Sequence, residues 1–380
     1  MNEKRIMAKN IKVSERKINT KDSHKWQEVK NYIVSQVSCG NYSPGDVLPS
    51  ENYLCGKVNV SRSTIRQAFH ELENDGLIYR VKGKGTFLAE LNSSKNQTRL
   101  EMFGLIMPDI RRSLYPSLTQ GFDDRLSSEN FQTMICQTGN NIDKQGNIIL
   151  RLLHKGIDGL AIVPSTSGHT PVYQIQMLID NNIPVVLCHR GIEGVNVPTL
   201  CWDRQEVGRM AGKILIDHGH KNIAYCGVYK YSVTEEHVKG LKEIMNQAGL
   251  DLPANRIVFG PWRESSDTEN QREKMLEQLL LGVKPTAVFC NDDDEAERLY
   301  WLVKKYNIKV PQDLSIIGFG DSHRNSVTRE YISSIVVDEY EIGQQAANLL
   351  CEMKNHKTHI KDNFKNINLN FHYGSSIAKI

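Results

Sequence analysis

The strongest constraint on the fold of this 380-residue chain is a regular alternation of apolar runs and helical segments from about residue 100 onward. The runs are short and rich in β-branched residues, which is typical of strands buried on both faces. Because helical segments separate them, the pattern predicts parallel sheets covered by helices, an α/β fold. The eight clearest runs are FGLIM (103–107), FQTMIC (131–136), GLAIV (159–163), IPVVLC (183–188), NIAYCGV (222–228), TAVFC (286–290), SIIGF (315–319) and SSIVV (333–337).

The length of this region predicts two lobes. Residues 101–380 are too many for one comfortable hydrophobic core, because single cores stop growing at about 250–300 residues. Ligands of open parallel sheets bind beyond the carboxyl ends of the strands. We therefore expect a binding site in the loops that follow the strands.

Charge is distributed unevenly along the chain. Residues 1–90 carry 15 Lys/Arg and 10 Asp/Glu, a net charge of +5, so the remainder carries −2 of the total of +3. A basic N-terminal part favours a polyanionic partner, although charge alone equally fits a solubilising segment. Residues 1–22 are polar and charged, which predicts a mobile basic arm. The polar, turn-rich stretch 91–100 predicts a linker.

Composition excludes several classes of protein. With 39% hydrophobic and 24% charged residues, the chain has the composition of an ordinary soluble protein. No apolar run approaches the roughly 18 residues that would suggest a membrane span, and no secretory signal is recognisable. The eight cysteines form no C-x-x-C pair, so we expect free thiols and a cytoplasmic location. The HGH at 218–220 fits a helix end better than a metal site, and we predict neither metal nor cofactor.

Residues 23–90 predict a small helical unit that ends in a β-hairpin. In the stretch NVSRSTIRQAFHELENDG, apolar residues fall at i, i+3, i+4 and i+7 and form one stripe that must pack on the preceding helices. Ser61 is suited to cap this helix and Gly76 to end it. Arg62 and Arg66 project together near its start, and arginine pairs bidentately with guanine. The hairpin tip, 82–85, alternates lysine and glycine, which favours close approach to a phosphate backbone or a minor groove.

The whole string from 40 to 90 resembles the winged helix-turn-helix of the GntR regulators. The matching landmarks are PGDVLPSE, NVSRSTIRQA, L-x-x-DGLI and GKGTF. Many members have arginine where this chain has Asn52, which places more weight on Glu51. The resemblance implies DNA contacts from Glu51, Ser61, Arg62, Thr64, Arg66, Lys82, Lys84 and Gly85.

The region 101–380 resembles the effector domain of the lactose/galactose-repressor family, which is similar to periplasmic sugar-binding proteins. The markers are the GH-x-x-IA run at 219–224, Asn291-Asp292, VPQDLSIIGF and the EIG-x-x-A helix. A GntR-type reader joined to this domain is similar to the arabinose-responsive repressor group. The combination implies a winged helix-turn-helix (23–90) joined to a two-lobed, periplasmic-binding-protein-like domain (101–380).

A polyhydroxy ligand needs carboxylate, guanidinium or imidazole groups for its hydroxyls and an aromatic face for its ring. The candidates that meet these needs are Tyr115, His189, Arg190, His237, Trp262, Asp292, Asp321 and His323. For each, a helix cap or a surface polar group is the alternative, above all for Asp292. The chain departs from the family at His237, where arginine is usual, and at Gly320, where aspartate is usual, so the ligand need not be arabinose.

We therefore expect a cytoplasmic, homodimeric repressor that binds operator DNA and is released by a small sugar. A sugar-modifying enzyme or a sugar carrier on the same two-lobed scaffold is the alternative. No nucleophile elbow, Walker A motif or metal cluster supports the enzyme.

Overall fold

The computed structural model of the protein describes residues 25–89, 101–111, 114–227, 232–260, 266–323, 328, 330–356 and 364–380. The predicted arm (1–22), the predicted linker (91–100) and Trp262 lie outside these residues. The chain divides into two compact units, Met1–Val34 with Tyr42–Ala89 and Ser35–Asn41 with Glu90–Ile380. The domain boundaries inferred from the sequence stay predictions.

The N-terminal unit contains helices and a hairpin. Its elements are α1 Lys25–Ser38, whose last residues belong to the second unit, α2 Glu51–Val58, α3 Arg62–Asn74, β1 Ile78–Val81 and β2 Gly85–Leu88. The apolar stripe of α3 forms its core: Ile65, Ala68, Phe69 and Leu72 are all buried, as the helical spacing predicts. The antiparallel strands pair Ile78 with Leu88 and Val81 with Gly85. The three helices and hairpin make a winged helix-turn-helix.

The second unit contains two six-stranded sheets. Its strands are β3 Met102–Met107, β4 Gln132–Gln137, β5 Gly159–Ile162, β6 Val185–Cys188, β7 Thr199–Cys201, β8 Ile223–Gly227, β9 Ile257–Phe259, β10 Ala287–Cys290, β11 Ser315–Asp321, β12 Ser333–Val337, β13 Phe364–Asn366 and β14 Leu369–His372. The first sheet has the order β13-β7-β6-β5-β3-β4 and the second the order β14-β12-β11-β10-β8-β9. All pairs are parallel except β12 with β14.

Helices cover these sheets, as the alternation predicts. They are α4 Tyr115–Ser127, α5 Ile142–His154, α6 Val172–Asp180, α7 Arg204–Asp217, α8 Ser232–Gln247, α9 Ser266–Gln278, α10 Asp293–Lys305 and α11 Glu339–His356. A 3₁₀ turn, Ala254–Arg256, and a π-helical turn, Leu279–Val283, complete the set. Within the described ranges, no helix is long and apolar enough to span a bilayer. The α/β fold class is confirmed.

The chain passes between the two sheets three times, after β7, after β12 and between β13 and β14. Helix α7 packs on α8 beside the second sheet, and α11 returns to pack on α4 beside the first. Glycines allow both close helix contacts. A Cβ at Gly208 would collide with the carbonyl oxygen of His237, and one at Gly121 with that of Tyr340. These crossings bring the carboxyl ends of the two sheets together in one unit.

Candidate functional site

The start of α3 presents the polar side chains that the sequence singled out. The Ser61 hydroxyl accepts a hydrogen bond from the backbone N–H of Thr64, and its oxygen lies 2.8 Å from the Thr64 hydroxyl. Ser61 therefore caps the helix as predicted, because it satisfies one of the N–H groups that a helix start leaves unpaired. Its hydroxyl remains exposed.

Two exposed arginines on α3 are held by residues at the start of α2. The Arg66 Nε donates to a Glu51 carboxylate oxygen at 3.1 Å, and the Arg62 guanidinium donates to the Asn52 side-chain oxygen. The Arg66 side chain is 65% exposed, so both guanidinium groups face solvent rather than the core. These contacts orient the two arginines. Because exposed ion pairs contribute little to stability, the arginines can exchange them for a stronger partner with little loss of stability.

The hairpin turn forms an exposed basic tip. Lys82, Gly83, Lys84 and Gly85 are all exposed. Gly83 has φ +75° and Gly85 φ +123°, conformations that side chains rarely adopt. The backbone of the turn requires glycine at positions 83 and 85, and the two lysines between and before them extend into solvent.

A cavity of about 100 Å³ lies at the carboxyl ends of the two sheets in the second unit. Five of the eight sequence-predicted ligand residues line it: Tyr115, His189, Arg190, His237 and Asp292. The other lining residues are Pro108, Asp109, Leu114, Asn140, Thr166, Trp202, Arg204, Val233, Asn291, Asp294 and Phe319. Most of them lie in the segments that follow strands, which is the expected position for a ligand site on parallel sheets.

Asp321 and His323 do not line this cavity. The Asp321 side chain is buried, accepts a hydrogen bond from the Ser117 hydroxyl and lies 3.3 Å from the backbone N–H of Glu339. The exposed His323 ring lies 3.2 Å from an Asp338 carboxylate oxygen. Asp321 ends β11 and His323 follows it, and both contact the segment that leads into α11, so we do not include them among the proposed ligand contacts. The third residue absent from the cavity lining, Trp262, lies outside the described residues.

His189 is the most constrained residue of the cavity. Its backbone has φ +68°, unusual for a residue with a side chain, and its ring stacks on Tyr115 at 5.6 Å between centroids. The Nε2 atom lies 2.9 Å from a carboxylate oxygen of the fully buried Glu339. Burial, with the nearby guanidinium groups of Arg190 and Arg204, lowers the pKa of His189 well below its usual value. A neutral imidazole therefore borders the cavity.

Asp292 combines the two roles that the sequence left open. One carboxylate oxygen accepts the backbone N–H of Glu295 at 2.8 Å and so caps α10. The other accepts the Asn291 side-chain amide at 2.9 Å, and the residue also lines the cavity. The cap fixes the orientation of the carboxylate toward the cavity.

Three side chains of the cavity carry buried nitrogen atoms that have no hydrogen-bond partner among the described residues. They are both ring nitrogens of His237, Nε1 of Trp202 and Nε of Arg190. Buried polar atoms are satisfied in the great majority of cases, so each orphan requires an explanation. A polar ligand in the cavity supplies one.

Sequence reasoning missed several cavity residues, including Asp109, Asn140, Thr166, Trp202 and Arg204. Trp202 supplies the aromatic face that had been sought in Trp262: its ring lies 4.9 Å from that of His189 and 5.6 Å from that of Phe319. Strand-end position is the signal that could have found them. The sequence did not show that Trp202 follows a strand, because that strand, β7, has only three residues.

The HGH segment contains no metal site. The His220 ring lies 3.0 Å from the Thr286 hydroxyl and 3.1 Å from the Ala378 carbonyl oxygen, so its nitrogens are occupied by protein atoms. Across the part of the chain that the structure describes, no group of His, Cys, Asp or Glu has the arrangement of a metal site.

A winged helix-turn-helix with exposed arginines and a second unit with a polar, aromatic-lined cavity define a ligand-responsive DNA-binding protein. Comparison with known proteins agrees. Residues 25–88 match the bacterial regulatory proteins of the gntR family, and residues 213–377 match the periplasmic binding protein-like domain.

Relatives of known role extend over most of the chain. The arabinose metabolism transcriptional repressor of Halalkalibacterium halodurans is 29% identical over 339 residues, covering 86% of this chain and 88% of the relative. The catabolite control protein A of Priestia megaterium is 31% identical over 306 residues, covering 80% and 87%. A LacI family regulator from Enterococcus faecium with bound ribose has the same fold, with a TM-score of 0.60 and 23% identity, covering 74% of this chain and all of that one.

The chain belongs to this family of GntR/LacI-type bacterial transcriptional regulators, which confirms the family inferred from the sequence. It is a DNA-binding regulator and not an enzyme, because the matched DNA-binding family and the curated relatives are regulators.

Proposed function

We propose that this regulator is a cytoplasmic homodimeric repressor, that its winged helices bind an operator, and that a sugar in the cavity of the second unit releases it. The observation that carries the proposal is the cavity itself, where aromatic rings and unpaired polar nitrogens meet at the carboxyl ends of two sheets. Arabinose and ribose are the first candidates, since a relative is named for arabinose metabolism and a structural neighbour holds ribose.

The chemistry of the cavity supports a sugar. Tyr115, Trp202 and Phe319 provide apolar faces for the C–H groups of a ring. Asp292 and Arg190 provide a carboxylate acceptor and a guanidinium donor for hydroxyls, and hydrogen bonds to charged groups are the stronger ones. Each residue alone has a structural reason to be present, but their convergence on one cavity favours ligand binding.

The exposed polar groups of the N-terminal unit support operator binding. Arg62 and Arg66 lie near the start of the second helix of a helix-turn-helix, the part that reaches base edges in the major groove. The Glu51 carboxylate orients the Arg66 guanidinium through a hydrogen bond. The hydroxyls of Ser61 and Thr64 are suited to bind phosphate oxygens. Lys82, Lys84 and Gly85 at the wing are proposed to contact the backbone or minor groove.

An exposed aromatic cluster formed by α10 and the segment before β12 supports the homodimer. The Trp301 side chain is 53% exposed and that of Tyr331 48%, and the rings of Tyr300 and Tyr331 stack at 6.2 Å. The Lys304 ammonium lies 3.9 Å from the Trp301 ring centroid. A second copy is the occupant we propose, because two winged helices related by a two-fold axis read the two halves of an inverted repeat.

The dimer is tested by sedimentation velocity. Trp301→Glu places a charge in the cluster and is expected to give monomers at concentrations where the parent is dimeric. Tyr373→Glu, at another exposed aromatic, is the matched control and should remain dimeric. A dimeric Trp301→Glu protein would rule out this interface.

Release by the sugar requires two conformations with different affinity for it. The three crossings between the sheets are the segments about which the lobes can close. The ligand shifts this equilibrium only by the difference between its affinities for the two conformations, and operator affinity changes by the same coupling factor.

A pair of variants separates the two activities. Operator duplexes are first selected by the parent protein from a random pool, and binding is then measured by gel shift with and without arabinose or ribose. Arg66→Ala should abolish operator binding and keep sugar binding. Lys221→Ala, which removes one exposed positive charge from the other unit, should retain both.

Asp292→Ala should do the reverse of Arg66→Ala: it should bind the operator and lose the response to sugar. Sugar binding is followed by the rise in unfolding temperature, because a ligand stabilises the state that binds it. Parent-like operator binding by Arg66→Ala, or a parent-like sugar response by Asp292→Ala, contradicts the corresponding assignment. Turnover of a sugar would revive the enzyme alternative, and failure to retain DNA in a salt-sensitive manner would favour the carrier.

A further inference from the structure

We propose that the cavity selects an uncharged monosaccharide over its phosphorylated and acidic derivatives, and that His237 is the residue that sets this selectivity. The inference rests on the proposed sugar-binding function and goes beyond it, because it names the ligand class and the group that reads it.

The His237 ring is buried at the cavity without a protein partner. It lies on α8 between Phe289, 5.8 Å away between centroids, and Phe319, 5.5 Å away. Its side chain is almost fully buried, and neither ring nitrogen is hydrogen-bonded to any described residue. An unsatisfied buried polar atom destabilises a protein, so a ligand that pairs with these nitrogens offsets that loss.

His237 is neutral at physiological pH. The charged groups that act on it are Arg204, Asp292 and Glu236, of which the first opposes protonation and the other two favour it. Burial outweighs them and lowers the pKa of His237 to about 3. A neutral imidazole has one N–H donor and one bare acceptor nitrogen. A sugar hydroxyl can pair with either nitrogen, whereas a phosphate or carboxylate oxygen can pair only with the N–H and is repelled by the bare nitrogen.

The remaining charges of the cavity also disfavour an anion. The described lining residues include two guanidinium groups and three carboxylates. The guanidinium groups belong to Arg190 and Arg204, and the carboxylates to Asp109, Asp292 and Asp294. Arg204 donates a 2.8 Å hydrogen bond to the backbone oxygen of His189, so its fork is partly occupied. An anionic group would therefore enter a site with no surplus of positive charge, and losing its hydration there is costly.

The size of the cavity favours a small ligand. A volume of about 100 Å³ has room for about seven to ten water molecules at the roughly 10–15 Å³ that each needs. A single sugar ring with its hydroxyls suits this space. Together, the orphan nitrogens, the charge balance and the volume point to a free pentose or hexose.

The experiment measures affinities of the full-length protein by titration calorimetry, with free pentoses and hexoses, their terminal phosphates and their aldonic acids. The parent is expected to bind at least one free sugar about tenfold or more tightly than the phosphate or acid of that sugar. A parent protein that prefers the charged form overturns this inference and leaves the proposed function standing. If no sugar of either kind binds, the proposed function itself fails.

Three substitutions then test His237. His237→Gln keeps a neutral donor and acceptor and should keep the preference for the free sugar. His237→Arg adds a fixed positive charge and should narrow or reverse it. His237→Leu removes both nitrogens and should weaken free-sugar binding about tenfold, in line with one lost buried hydrogen bond.

Operator binding and the unfolding temperature of each variant show that it is folded. If His237→Arg does not fold, the comparison of His237→Gln with His237→Leu still decides the case. Equal affinities of these two variants for the free sugar, or an unchanged preference in His237→Arg, would show that His237 does not read the ligand.

Discussion

Glu339 offers a direct test of how charge is arranged around the cavity. Its side chain is fully buried, one of its oxygens lies 2.9 Å from His189 Nε2, and the other has no partner among the described residues. Burial, reinforced by the carboxylates of Asp321 and Asp338, raises the pKa of Glu339 well above its usual value. The opposite directions of the two pKa shifts, of Glu339 upward and of His189 downward, favour a hydrogen bond between neutral groups over an ion pair.

Two substitutions separate these descriptions. Glu339→Gln keeps the shape and a neutral hydrogen bond, and we expect its free energy of unfolding near pH 5 to lie within about 1 kcal/mol of the parent. Glu339→Ala leaves the His189 nitrogen without its partner and opens a void, which should cost about 2–3 kcal/mol. For a unit of this size, that lowers the unfolding temperature by about 4–12 °C.

The change of stability with pH tests whether Glu339 is protonated in the folded protein. A carboxyl with a raised pKa holds its proton in the native state above the pH where the unfolded chain has released it, so its contribution to stability is lost as pH rises from about 4.5. Glu339→Gln lacks this loss, and its stability relative to the parent should increase with pH, by at most about 1.4 kcal/mol per pH unit. Protonation of His189 in the unfolded chain is common to both proteins and cancels in the difference.

The assay is urea unfolding followed by tryptophan fluorescence, since the Trp202 ring lies 4.9 Å from that of His189. Measurements at several pH values between 5 and 8 give the difference in unfolding free energy between each variant and the parent. If Glu339→Gln is as destabilised as Glu339→Ala, or if its relative stability falls with pH, then Glu339 is ionised and pairs with a cationic His189, and the reasoning is refuted.

Three further predictions concern the core, the cavity and its support. Ile65→Ala should cost about 2–5 kcal/mol in the N-terminal unit, because Ile65 is fully buried, and should weaken operator binding without changing calorimetric sugar affinity. Lowering the pH from 7 to 5 should cost the parent about 2 kcal/mol more than His237→Gln in urea unfolding. Because the pKa of His237 is about 3 in the folded protein, only the unfolded chain takes up a proton at this residue between pH 7 and pH 5, which favours unfolding. Gly208→Ala places a methyl group against the backbone of His237, so it should lower both unfolding temperature and sugar affinity; a parent-like protein would contradict the close packing of α7 on α8.

Much of the fold and part of the site were predictable because the relevant signals are local. Each of the eight apolar runs overlaps a strand, and the apolar stripe of α3 is buried. Ser61 caps its helix, and Gly76 adopts φ +73° just after the helix ends. The three-residue strands β7, β9 and β13 were missed, since three residues are too few to show a period, and the short strand β14 was missed as well.

The cavity shows where local signals end. Tyr115, His189, Arg190 and Asp292 were predictable because each follows an apolar run that forms a strand, and such ends meet at one edge of a sheet. Asp321 met the same criterion and lies outside the cavity, because its carboxylate is bound by Ser117 and faces the backbone of Glu339. Strand-end position predicts the edge, and the packing around that edge selects the residues that reach the ligand.

The sequence by itself determined the elements, their caps and the exposed arginines of α3, since these depend on residues within one or two helical turns of each other. Only the tertiary structure decided that Glu339 supports His189, 150 positions earlier, and that His237 has no partner. Both depend on the chain crossing between the sheets. A residue's spacing records which face of its own element it occupies, but its partner is set by which distant element the fold places opposite that face.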